Sequence, residues 1–127
     1  MSHCEHISVL LVDEDVIFRQ ALADNLRIDG HLVVECVSAE QAIPTMSEEP
    51  YGAMIAEYTL AGFNGVLLAD EFRKACAGPT VLVTAQFGGP TSFHVGVRHY
   101  IELLPKPVAY DRVHDTVHHL VTVGRDS

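Results

Sequence analysis

Basic side chains are scarce in this chain. Among 127 residues, eight Lys and Arg stand against seventeen Asp and Glu, a formal net charge of −9. Nucleic acid is bound chiefly through cationic contacts to phosphates, so the composition argues against a direct nucleic-acid surface. Cysteine is sparse too. Cys4, Cys36 and Cys76 are odd in number and widely spaced, which fits neither a disulfide framework nor a zinc motif. The apolar surroundings of Cys36 and Cys76 suit buried thiols. No apolar run approaches the roughly 18–20 residues of a membrane span. The opening Met1-Ser2-His3-Cys4-Glu5-His6 lacks the basic start of a signal peptide. A soluble, cytoplasmic protein without membrane contact is expected. Internal repeats, low-complexity tracts and linkers are missing as well. One domain over residues 1–127, with a core from about 7 to 123, is therefore expected.

What is abundant is apolar. Hydrophobic residues make up 48% of the chain, which favours a packed globule over disorder. Ile7-Ser8-Val9-Leu10-Leu11-Val12 reads as a strand covered on both faces. From Val16 to Ile28 the pattern turns helical, with Phe18, Leu22 and Leu26 on one face, Arg19, Asp24 and Arg27 on the other, and Gly30 as terminator. A second strand spans 31–37. Ser38, with Gln41 three residues on, signals a capped second helix that Pro44 kinks or shortens. A third strand over 53–58 leads through Gly62 and Gly65 into a helix carrying Leu67, Leu68 and Phe72. Residues 79–84 form a fourth strand and 100–104 a fifth. Between them, Gly88, Gly89, Pro90 and Gly96 shorten any helix in 86–100. A last helix over 110–123 turns Val113, Val117, Leu120 and Val121 to one side. Strands alternating with about five helical segments predict an α/β fold, doubly wound, with a parallel sheet between two helical layers.

Ligands of such sheets bind at the carboxyl ends of the strands. Asp13, Glu57, Thr84 and Lys106 each fall at or just after the end of a different apolar run, and Asp13-Glu14-Asp15 makes the first end an acidic cluster. Together with Glu57, the Gly-punctuated loop behind it and Lys106-Pro107, this arrangement resembles the receiver domain of bacterial two-component response regulators. The likeness runs over essentially the whole chain, from about Ile7 to Val123. It implies a flavodoxin-like, CheY-like three-layer α/β/α sandwich with strand order 2-1-3-4-5. It also implies a role in phosphorelay signalling through a sensor kinase, a phosphotransfer protein or an output domain. The contacts would run through the face built from the fourth helix, fifth strand and fifth helix, and a homodimer is compatible with the family.

The resemblance also assigns roles. Glu57 stands where the family normally has the phosphoaccepting aspartate. Asp13, Glu14, Glu57 and the backbone carbonyl of Thr59 occupy the positions that hold a magnesium ion, here expected to bind weakly. Thr84 and Lys106 match the hydroxyl and ammonium that contact the phosphoryl oxygens, and Lys106–Pro107 is the expected cis peptide. Four departures stand out. Glu57 is one methylene longer than aspartate, carrying its carboxylate outward by about 1.5 Å. Leu103 takes the place of the usual Tyr or Phe of the switch. Ala61 replaces a common proline, and Gly88-Gly89-Pro90 alters the output segment.

These observations favour a non-enzymatic pseudo-receiver that regulates a partner by contact, without aspartyl phosphorylation at Glu57. A second reading is a working receiver phosphorylated at Asp13 or Asp15. A third is a small metal-dependent enzyme using Asp13, Glu14 and Glu57, ranked last because no general base, nucleophile elbow or Gly-rich phosphate loop accompanies the acids. Plainer readings stay open: the acidic cluster as helix-capping residues, Glu57 as a structural carboxylate paired with Lys106, Thr84 as an ordinary strand-end threonine. His114 and His118, four apart on the last helix, read as a solvated polar face.

Overall fold

Each central strand of the sheet sends alternate side chains into two separate cores, and this divides the molecule into layers. In the computed structural model, which describes residues 6–85 and 98–125, the main strands are β1 (Ser8–Val12), β2 (Leu32–Cys36), β3 (Ala53–Glu57), β6 (Thr80–Thr84) and β7 (Ile101–Pro105). They form one parallel sheet in the order β2-β1-β3-β6-β7. This is the expected 2-1-3-4-5 order once two short strands are counted. Those strands, β4 (Thr59–Leu60) and β5 (Phe63–Asn64), make a separate antiparallel hairpin directly after β3. Gly62 turns it at φ 71°, a left-handed conformation that costs glycine least.

Leu10, Val12, Met54, Ala56 and Leu82 point into the layer under α2 (Ala39–Thr45) and α3 (Gly65–Cys76), where Ala42, Leu68 and Phe72 meet them. Val9, Leu11, Ile55, Val81 and Val83 point the other way. They meet Leu22 and Leu26 of α1 (Val16–Ile28) and Val113, Val117 and Leu120 of α4 (Tyr110–Arg125). Period-two alternation with both faces apolar produces the near-continuous hydrophobic runs of the sequence.

Local chemistry sets the helix starts. Asp15 caps α1 by accepting from Phe18 N, Ser38 caps α2 by accepting from Gln41 N, and Asn64 caps α3 by accepting from Val66 N. The Gln41 side chain reaches back to Val37 N at 2.9 Å, closing a capping box one residue wider than the usual one. Pro44 lies in a helix of only seven residues. The helix expected within 86–100 lies largely outside the described residues, as does most of the segment altered by Gly88-Gly89-Pro90. Among the described residues no helix is long and apolar enough to cross a membrane.

Candidate functional site

Because the five strands are parallel, their carboxyl ends share one edge, and four expected residues arrive there from four strands. Asp13 follows β1, Glu57 ends β3, Thr84 ends β6, and Lys106 follows β7. The register sets Glu57 opposite Val83 and Thr84 opposite Pro105. Lys106 N donates to Thr84 O at 2.8 Å, tying the last connection to the centre of the edge.

The Lys106 ammonium is the hub. Nζ lies 2.9 Å from Asp13 Oδ2 and 2.8 Å from Glu57 Oε1, with side-chain exposures of 12%, 2% and 12% for Lys106, Asp13 and Glu57. Burial works against the charge on Lys106, but the hydrogen bonds to Glu57 and Asp13 outweigh it and hold its pKa above the ordinary lysine value. The Phe18 ring covers the ammonium, 4.3 Å from ring centroid to Nζ, a cation–π contact that strengthens when water is excluded.

The remaining carboxylate oxygens are engaged too. Asp13 Oδ1 accepts from Asp15 N at 2.9 Å, and Glu57 Oε2 accepts from Thr59 N at 3.3 Å. Glu14 and the Thr59 side chain are exposed. Asp15 is occupied in capping α1. Thr84 is fully buried. Leu103 packs, partly buried, against the layer under α2 and α3. The Lys106–Pro107 peptide is cis. Behind Glu57, Gly65 permits a close approach: a Cβ there would lie 2.8 Å from Glu57 O and from Tyr58 Cα and O.

A divalent cation at this edge requires several oxygen ligands turned toward one point. Among the described residues no three His, Cys, Asp or Glu side chains gather in that way. The positive charge between the two carboxylates belongs to Lys106, so a cation entering between Asp13 and Glu57 would compete with its ammonium.

Two contributors to the site were not legible in the sequence. Phe18 packs partly buried against the core shared by α1 and α4, as its periodicity predicts, and its place over Lys106 depends on the meeting of α1 with the β7–α4 connection. Arg19, which the same periodicity sets on the opposite face, is buried. Its Nη1 donates to Asp13 O at 2.7 Å, and its Nε pairs with Glu35 Oε1 at 2.9 Å. Arg27 holds the other Glu35 oxygen at 3.1 Å. Burial alone would raise the Glu35 pKa, but the hydrogen bonds from Arg19 and Arg27 carry it below the usual glutamate value. The available signal was Glu35 itself, a carboxylate within an apolar strand that needed a cation from a neighbouring helix.

Residues 9–118 match the family model of the response regulator receiver domain. Curated relatives include the response regulator protein FleR of Pseudomonas aeruginosa, 34% identical over 63% of this chain and 17% of that protein. The C4-dicarboxylate transport transcriptional regulatory protein DctD of Rhizobium meliloti is 30% identical over 84% of this chain and 23% of that protein. The chain thus spans a quarter or less of the length of these two relatives. Among solved structures, a CheY-like response regulator receiver domain protein from Methanospirillum hungatei JF-1 superposes with a TM-score of 0.82 at 16% identity, covering 96% of this chain and 98% of that one.

Proposed function

Because the chain belongs to the response regulator receiver domain family, we propose that it works as a pseudo-receiver, regulating a partner by contact and without phosphorylation at Glu57. The observation that carries this reading is the Lys106 ammonium bridging Asp13 and Glu57 at 2.9 and 2.8 Å. Phosphoryl transfer needs an in-line nucleophile with the charge of the incoming group neutralised by cations. Here the cation is already committed to two carboxylates, and the acceptor carboxylate is displaced by about 1.5 Å from where an aspartate would carry it. A misplacement of that order costs about a hundredfold in rate.

Glu57 imitates a phosphorylated aspartate only in part. It brings one negative charge where a phosphate brings about −1.5 to −2, and Leu103 has no aromatic ring to swing inward. The edge is held in one state rather than switched. Regulation then passes to whatever binds the surface: a kinase, a phosphotransfer protein, an output segment like those beyond the matched part of the relatives, or a second copy. Asp13 and Asp15 are poor substitute acceptors, since one is buried and paired and the other caps α1.

Incubation with acetyl phosphate and magnesium, followed by intact mass measurement, is the test. The natural chain is expected to gain no phosphoryl group, and Glu57→Asp to gain one. Ready labelling of the natural chain that disappears in Asp13→Asn would overturn the reading. Magnesium titration monitored at Asp13, Glu14 and Glu57 adds a second expectation: weak binding by the natural chain, tighter binding by Glu57→Asp. Equal sub-millimolar affinity in both chains would contradict it.

A further inference from the structure

Away from the acidic edge, His31 and His114 share a hydrogen bond, with Nε2 to Nε2 at 3.1 Å. The arrangement corrects the expectation that His114 lies on a solvated face. His31 is buried, and its Nδ1 accepts from Ile7 N at 3.2 Å. A ring nitrogen that accepts carries no proton, so the His31 proton sits on Nε2 and is donated to His114. Nε2 of His114 is then the acceptor and its own proton sits on Nδ1, the nitrogen 3.8 Å from the exposed Asp115 carboxylate. The two bonds fix both tautomers, and both require neutral rings. A proton added at His31 Nδ1 opposes the Ile7 N–H, and one added at His114 Nε2 opposes the His31 N–H.

The surroundings reinforce neutrality. His6, from the segment before β1, meets the His31 ring edge-on at 5.9 Å, and His118 of α4 lines the same cavity. Tyr110 packs its ring 5.6 Å from His114. Asp29, at the end of α1, is the acid that favours a charged His31, and it accepts the Tyr110 hydroxyl at 2.6 Å. Burial first, then His114 and His6, hold His31 below the ordinary histidine value of 6.5 against the pull of Asp29. Beneath the pair is a cavity of about 20 Å³, walled by Ile7, Val9, Leu26, Val117 and Val121, large enough for one water.

We propose that the His31–His114 pair is a proton-sensitive latch that clamps the last helix to the starts of β1 and β2 and releases it on acidification. Since α4 begins on the connection that carries Lys106, release also loosens that connection and changes the helix surface offered to a partner. The sign follows from linkage. A histidine held neutral in the fold binds fewer protons than in the open state, so the clamp is complete above 6.5 and weakens as the pH falls below it.

The test uses the native chain. Histidine ring spectra at about pH 7.5 are expected to show the Nε2–H tautomer at His31 and the Nδ1–H tautomer at His114, with the His31 ring titrating below the ordinary histidine value. Exchange of α4 amides, corrected for intrinsic rates and referenced to β3, should then rise as the pH falls below 6.5, by up to about tenfold per pH unit for one linked proton. His114→Leu should flatten that pH dependence, leaving only what the burial of His31 itself contributes. A His31 ring titrating at or above 6.5, unchanged α4 protection in the native chain, or the same pH dependence in His114→Leu would each overturn the latch. If His114→Leu does not fold, the native titration decides by itself.

Discussion

Lys106→Met is expected to destabilise the protein by about 3–5 kcal/mol, the cost of stranding a buried charge whose partner has been removed. Methionine is close to lysine in length and preserves the packing under Phe18, so the loss is electrostatic. Asp13 and Glu57, now 2.9 and 2.8 Å from the ammonium, would face each other across an apolar side chain. Urea unfolding at neutral pH reads the size of the loss. The triple change Asp13→Asn, Glu57→Gln, Lys106→Met should recover most of the loss, since no charge is then left unpaired. A Lys106→Met chain as stable as the parent at neutral pH would remove the ammonium from its role as hub.

Phe72→Ala is expected to cost about 3–5 kcal/mol as well, by a different route. Phe72 is fully buried on α3, in the layer with Met54 and Leu82, and its ring edge lies 3.1 Å from where a Cβ on Gly78 would be. The surrounding backbone, tied through Gly65 N to Tyr58 O at 2.7 Å, cannot collapse far into the void. The denaturation midpoint should drop without change in the slope, as for a loss of stability in an otherwise intact fold. A loss below about 1 kcal/mol would mean that the layer repacks freely. Since α3 follows directly from the Glu57 loop, the variant also separates stability from site geometry: the carboxylate pairing at Lys106 should persist in the folded fraction.

Much of this molecule can be read from its residues alone. The alternation of apolar runs with helical periodicity sufficed for the α/β class, and the family resemblance implied the strand order. Val16 and Ile28 are the observed limits of α1, because an N-cap aspartate and a following glycine mark both ends chemically. The placement of Asp13, Glu57, Thr84 and Lys106 at one edge follows equally from sequence, since the ends of parallel strands must lie together. The hairpin at Thr59–Asn64 was less visible, because two-residue strands carry too little periodicity to register.

What the linear chain determined, then, was which elements form and which polar residues reach the carboxyl edge, both consequences of short-range pattern and parallel topology. Only the tertiary structure decided the pairings. Arg19 looked solvent-facing on a helical wheel, yet it is buried because Glu35 on β2 and the Asp13 carbonyl accept its donors. His114 looked solvated, yet it is partly buried because His31, from a distant connection, donates to it. Helical periodicity reports the average side of a helix. It carries no information about which charged or titratable group on another element comes within 3 Å, and in a low-dielectric interior that proximity sets both the charge state and the role.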